Sequence, residues 1–179
     1  MIVSIHQPCY FPWLGLLDKI GQSDVHVVMD EVQLNDAAFQ HRNLFLSADG
    51  KAKYLSIPFN RKHYLQRKYC ELEITDQKWR SDHLNFIGNG YRKHPFFGEV
   101  FPVIEGFFAR EYASLFEAVL TSVQISMEFF GIDTKLVLQS ELDYDRSMRR
   151  GDLVLELVQT TGADCYLSGT GAQAYLDES

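Results

Sequence analysis

Short β-branched runs alternate with segments of helical period, and this alternation constrains the fold more than any other feature of the chain. Residues 2–6 (IVSIH) form an apolar run ended by Gln7-Pro8, residues 13–21 carry a helical pattern, and residues 25–29 (VHVVM) form a second run ended by Asp30. A strand, helix, strand unit of this kind joins parallel strands by a right-handed crossover. Two further runs, 135–139 (KLVLQ) and 164–168 (DCYLS), bracket a helical segment at 151–161 that Gly162 stops. Between these halves the spacing predicts helices over Trp79 to Tyr91, Val100 to Phe108 and Tyr112 to Phe130, the last closed by Gly131. Leu34 to Lys53 shows only weak patterning; Ala48-Asp49-Gly50 is a turn, residues 54–58 are extended, and Leu72-Glu73-Ile74 alternates as a short edge strand. The expected fold is α/β: a mostly parallel, Rossmann-like sheet flanked by helices, with a helical insertion.

With 179 residues, 46% hydrophobic, the chain has material for one core, so a single domain over 1–179 is the expectation. Seventeen Lys and Arg against 24 Asp and Glu give a net charge of -7, which argues against nonspecific nucleic-acid binding. No apolar stretch approaches the roughly 20 residues of a membrane span, and the N-terminus lacks a basic region and cleavage site, so a cytoplasmic location is expected. Cys9, Cys70 and Cys165 are isolated, without a C-x-x-C pair, so neither structural zinc nor a disulfide is expected.

In open parallel sheets, ligands bind outside the carboxyl ends of the strands. The residues just after each strand are His6-Gln7-Pro8, Asp30-Glu31, Ser140-Glu141 and Ser168-Gly169-Thr170-Gly171. Segment 5–15 (IHQPCYFPWLG) has two prolines to fix a loop, with polar tips and flat faces on His6, Gln7, Tyr10 and Trp13. That set suits a pocket better than a solvated connection; the alternative is that Tyr10, Phe11 and Trp13 cover the sheet and His6 hydrogen-bonds a carbonyl. His6 is the candidate general base, since an imidazole near its ordinary pKa accepts protons at neutral pH. Gln7, Tyr10 and Trp13 are candidates to orient and stack a substrate. Asp30 fits a metal, a proton-transfer step or ribose hydroxyls, and also plain solubility. Arg42 and Asn43, within Gln40-His41-Arg42-Asn43, offer donors for a phosphate or carboxylate, or make a surface loop. The glycines of Ser168-Gly169-Thr170-Gly171 let backbone N–H groups face an anion, or make a tight turn. Arg61, Lys62, His63, Arg67 and Lys68, interleaved with Tyr64 and Tyr69, read as a solvated basic edge or a contact for an acidic partner.

Four stretches, IHQPCYFPWLGLLDKIGQSD at 5–24, QHRN at 40–43, YRKHPFF at 91–97 and YLSGTGAQAYLDE at 166–178, resemble the WbqC-like family in order along the whole chain. That family occurs with genes for O-antigen and other surface polysaccharides. The resemblance implies a transferase or ligase-like enzyme that modifies an activated sugar, with an anionic sugar or nucleotide-sugar as its small-molecule partner. It names neither donor nor cofactor. Two departures stand out: His41 replaces a residue that is commonly Asn in the family, and family members tend to continue beyond this C-terminus. A more distant similarity, carried by SDVHVV at 23–28 and LSGTGAQAYLDE at 167–178, is to nucleotidyltransferase-type adenylate-forming enzymes such as pantothenate synthetases. Their first loop carries paired histidines where this chain has Tyr10 and Trp13, and their second loop carries a cation that is missing before Tyr175. Two alternatives accompany the enzyme: a noncatalytic nucleotide-sugar or nucleotide-binding module, and a structural partner in a biosynthetic complex that uses Phe96, Phe97, Phe107 and Phe108 as an interface.

Overall fold

A computed structural model describes residues 1–169; Thr170 and Gly171 of the expected anion loop, and the segment that follows them, lie outside the described residues. In chain order the elements are β1 (Ile2–His6), α1 (Leu14–Gly21), β2 (Val25–Val28), β3 (Arg42–Leu46), β4 (Ala52–Ser56), α2 (Trp79–Tyr91), α3 (Phe97–Ala109), α4 (Leu115–Phe129), β5 (Lys135–Leu138), α5 (Arg150–Thr161) and β6 (Cys165–Leu167). Gly131 and Gly162 adopt positive φ, 64° and 69°, just beyond α4 and α5, the left-handed turn that ends a helix at little cost when no Cβ is present. The residues group into two compact units.

The first unit comprises Met1–Pro8, Trp13–Val32 and the chain from Met127 onward. Its sheet has four strands in the order β5-β2-β1-β6, and every neighbouring pair is parallel. Val3, Ile5 and Val27 point to one face and pack against Leu153, Val154 and Leu157 of α5. Their alternates Ser4 and His26 are buried on the other face, joined by a 2.7 Å hydrogen bond between the Ser4 hydroxyl and His26 Nδ1. The chain steps from β1 to β2 through α1, then from β5 back across two strands to β6 through α5. Right-handed crossovers in opposite directions lie on opposite faces, so the winding reverses between β1 and β6.

Backbone pairing fixes where β1 points its carbonyls. Those of Ile2 and His6 accept the N–H groups of Asp24 and Met29 on the β2 side, and that of Met1 accepts from Cys165 on the β6 side. Leu167, the last residue of β6, is level with Ser4. The end of β1 therefore projects beyond its neighbour.

The second unit comprises Cys9–Pro12 and Gln33–Ser126: the antiparallel hairpin β3-β4, α2, α3 and α4 as far as Ser126. The insertion between β2 and β5 is thus helical, as expected, but opens with a hairpin. Arg42–Leu46 is a strand where the sequence shows weak patterning, because its residues are only half-buried or exposed and its pairing comes from β4 rather than from an apolar face. Leu72-Glu73-Ile74 forms isolated bridges, Phe59 with Ile74 and Glu73 with Ser114, rather than an edge strand. Tyr10, Trp79, Phe107, Phe108 and Tyr112 are buried together as an aromatic core. Among the described residues no helix is long and apolar enough to cross a membrane, and none of the three cysteines is joined in a disulfide.

Candidate functional site at the end of the first strand

His6 is the last residue of β1, where the winding of the sheet reverses. Its Nδ1–H donates to the carbonyl of Gln7 at 2.6 Å, and since a carbonyl only accepts, the ring's lone pair is left on Nε2. Burial lowers the His6 pKa below its usual value; the Gln7 bond opposes that shift and the positive charge of Lys19 adds to it. Trp13, at the start of α1, meets the His6 ring edge-on at 5.7 Å and is 48% exposed. The indole folds over Gly15, where a Cβ would lie 3.0 Å from Nε1.

A cavity of about 460 Å³ opens in this unit. Ile5, Met29, Val32, Leu153 and Val154 give it an apolar wall, and His6, Gln7, Arg150 and Tyr166 its polar groups. Arg150 begins α5 with φ +53°, a left-handed conformation that costs a non-glycine residue roughly 1–2 kcal/mol. Lys19 extends from α1 to donate to the carbonyl of Ile5 at 3.0 Å, with its Nζ 5.8 Å from the centre of the Tyr166 ring. Burial lowers the Lys19 pKa. Ser168 and Gly169 follow β6 at the same sheet edge, both exposed, with the Ser168 hydroxyl donating to the Gly169 carbonyl.

The structure therefore brings His6, Gln7, Trp13, Ser168 and Gly169 to one edge of the first unit. Lys19, Arg150 and Tyr166 join them, and sequence reasoning did not single them out. A signal existed for Tyr166, which lies in the last strand run; Lys19 and Arg150 had none.

Four of the expected ligand residues are instead engaged with other parts of the protein. Tyr10 belongs to the core of the second unit, has no exposed surface, and shares a 3.0 Å hydrogen bond with His83 Nδ1, so its ring has no face left for a substrate. Asn43 spends its amide donors on the carbonyls of Tyr10 and Phe11, at 3.0 and 2.7 Å, and its oxygen on the N–H of Leu44, which fixes the 9–12 loop. Arg42 donates to the Ala37 carbonyl at 3.1 Å and lies 4.5 Å over the Tyr54 ring, a brace within its own unit. Asp30 is buried and accepts the Ser140 N–H at 2.9 Å, which secures the turn after β5. Beside it, Glu31 accepts from the Tyr144 hydroxyl at 2.9 Å and pairs with Arg146 at 3.2 Å. Among the described residues no group of three His, Cys, Asp or Glu side chains is placed to hold a metal ion.

A parallel sheet flanked by helices, with a neutral histidine and two cations where its winding reverses, defines a doubly wound α/β protein with its polar groups gathered at the sheet edge. The chain belongs to the WbqC-like protein family, whose pattern matches residues 7–179. It is 26% identical over 179 residues to "Uncharacterized protein Rv1507c" of Mycobacterium tuberculosis (strain ATCC 25618 / H37Rv), covering 98% of this chain and 75% of that protein. No solved structure matches the chain.

Proposed function

We propose that the protein is a cytoplasmic transferase of surface-polysaccharide assembly, acting on an anionic activated sugar in the β1/β6 crevice with His6 as general base. The observation that carries this reading is His6 itself: a neutral imidazole, its Nδ1–H engaged by the Gln7 carbonyl, lining a cavity of about 460 Å³ where a doubly wound sheet binds its ligands. In the reaction, Nε2 takes the proton of the substrate's attacking hydroxyl or amine as that atom bonds to the transferred group and the bond from that group to its leaving group breaks. The Gln7 carbonyl, already held by Nδ1–H, stabilises the imidazolium that forms, and the proton then passes to the leaving group or to water. Trp13 gives a sugar or base ring a flat neighbour, and Arg150 gives an acidic group a counter-charge. The setting in polysaccharide assembly follows from what the family resemblance implies. The distant nucleotidyltransferase likeness is part of the same reading, as a kinship of parallel sheets that hold substrate at the carboxyl edge.

Thermal shift against UDP-glucose, GDP-mannose, UDP, glucose and mannose tests it. The nucleotide-sugars are expected to raise the melting temperature and the neutral sugars to leave it unchanged. A nucleotide-sugar that binds then serves as donor in turnover assays, in which His6→Asn is expected to keep binding and lose transfer. Turnover unchanged in His6→Asn removes the base assignment; binding without any turnover in the wild type makes the protein a carrier or sensor instead.

A further inference from the structure

We infer that Lys19 is the residue that holds the substrate's anion, a phosphate or a carboxylate, in the gap where β6 stops short of β1. The inference rests on the proposed use of that crevice and names the charge its ligand must carry.

The pairing of β1 places the ammonium. The Met1 carbonyl faces β6 while those of Ile2 and His6 face β2, so the alternation of a strand turns the Ile5 carbonyl toward β6 as well. β6 ends at Leu167, level with Ser4, and Ile5 lies beyond it. Lys19 Nζ takes up that carbonyl at 3.0 Å. An ammonium has three donors, and this bond uses one. Among the described residues no carboxylate pairs with Lys19, and burial is the sole influence that shifts its pKa. A half-buried charge without a counter-charge is costly, and an incoming anion relieves that cost. The Tyr166 ring, which lies beneath Nζ at 5.8 Å, also lines the cavity. An anion on Lys19 is therefore next to the space that takes the rest of the molecule, and close to His6, whose proton affinity the Lys19 charge depresses.

The test uses the full chain, with inorganic pyrophosphate, UDP and glucuronate as anions and uridine and glucose as neutral controls. Calorimetry is run on wild type, on Lys19→Gln, which keeps a donor for the Ile5 carbonyl without the charge, and on Lys19→Arg, which keeps the charge. Losing a charged hydrogen bond is expected to weaken anion binding about tenfold or more in Lys19→Gln, while Lys19→Arg retains most of it. Pyrophosphate set against glucuronate tells which anion the site takes. NMR titration of His6 supplies a readout that a merely structural lysine would not move. Pyrophosphate or glucuronate should raise the His6 pKa in the wild type, and Lys19→Gln should raise it without ligand. Equal anion binding in wild type and Lys19→Gln overturns the role of Lys19 and leaves the crevice reading standing. A wild type that binds none of the anions, with His6 unshifted, overturns both.

Discussion

Burial outweighs the Gln7 bond at His6, so the ring sheds its proton at a pH below its ordinary value near 6.5. The base form then persists as pH falls through 6.5, and kcat/KM should decline only further into acid. A pH–rate profile whose acid limb centres at or above pH 6.5 would rule out His6 as the base, and His6→Asn should cost about 10²–10⁴ in kcat. The same physics acts on stability at three histidines that have no catalytic role here. Burial pushes His26 down to about 3, and His41 and His83 to about 4. The unfolded chain protonates these rings near pH 6.5 while the folded chain resists. Their contribution is therefore complete above about pH 6.5 and drains away as pH falls toward 4 and below. Thermal melts from pH 7 to pH 4 should show Tm falling across that window, less steeply in His26→Gln than in wild type. His6 was legible from sequence because it ends an apolar run just before Gln-Pro. Tyr10 was not, because an aromatic ring beside a proline reads alike whether it stacks on a ligand or closes a core. Lys19 was not, because only the length of β6 leaves the Ile5 carbonyl open to it.

Among the elements, α1, α2, α4, α5 and the four parallel strands fall where the periodicity predicts, within a few residues at their ends. The patterns of β1, β2, α1 and α5 are strong because each buries a stripe or a face, and β5 and β6 are marked by short apolar runs that end up half-buried. The hairpin strand β3 was missed because Arg42–Leu46 opens with two polar residues, has no buried residue, and leaves no periodic trace. The packing of α2 against β3 yields a sharp prediction. A Cβ on Gly90, near the end of α2, would lie 2.2 Å from the Leu46 carbonyl oxygen, closer than any backbone atom allows. Alanine is worth up to about 1 kcal/mol over glycine inside a helix, yet forced overpacking costs typically about 1–3 kcal/mol and here strikes backbone. The clash wins. Gly90→Ala should lower the urea midpoint, whereas Gly98→Ala in α3, which meets nothing within 4 Å, should raise or preserve it. Equal midpoints for the two variants would show that α2 does not approach β3 so closely.

At the scale of the whole chain, the feature that locates the site is strand order, and strand order is what a single sequence conveys least. The runs at 2–6, 25–29, 135–139 and 164–168 announce four strands, but nothing in them says that β6 returns to lie beside β1 instead of adding to the far side of β5. That return places Ser168 and Gly169 at the edge where His6 ends its strand, away from Gln40-His41-Arg42-Asn43, where the Gln40 amide oxygen accepts from the Asn35 N–H, His41 Nε2 meets Asp36, Arg42 donates to the Ala37 carbonyl and Asn43 to the 9–12 loop. Hydrogen exchange on binding separates the two locations. With UDP or pyrophosphate bound, protection should rise at residues 5–8, 29–32, 149–154 and 165–169, because a ligand in the crevice restricts the local openings of the segments around it. Residues 40–43 should exchange as before. Protection centred on 40–43, with 5–8 and 165–169 unchanged, would move the site into the second unit and leave His6 as a ring whose position merely closes the end of a strand.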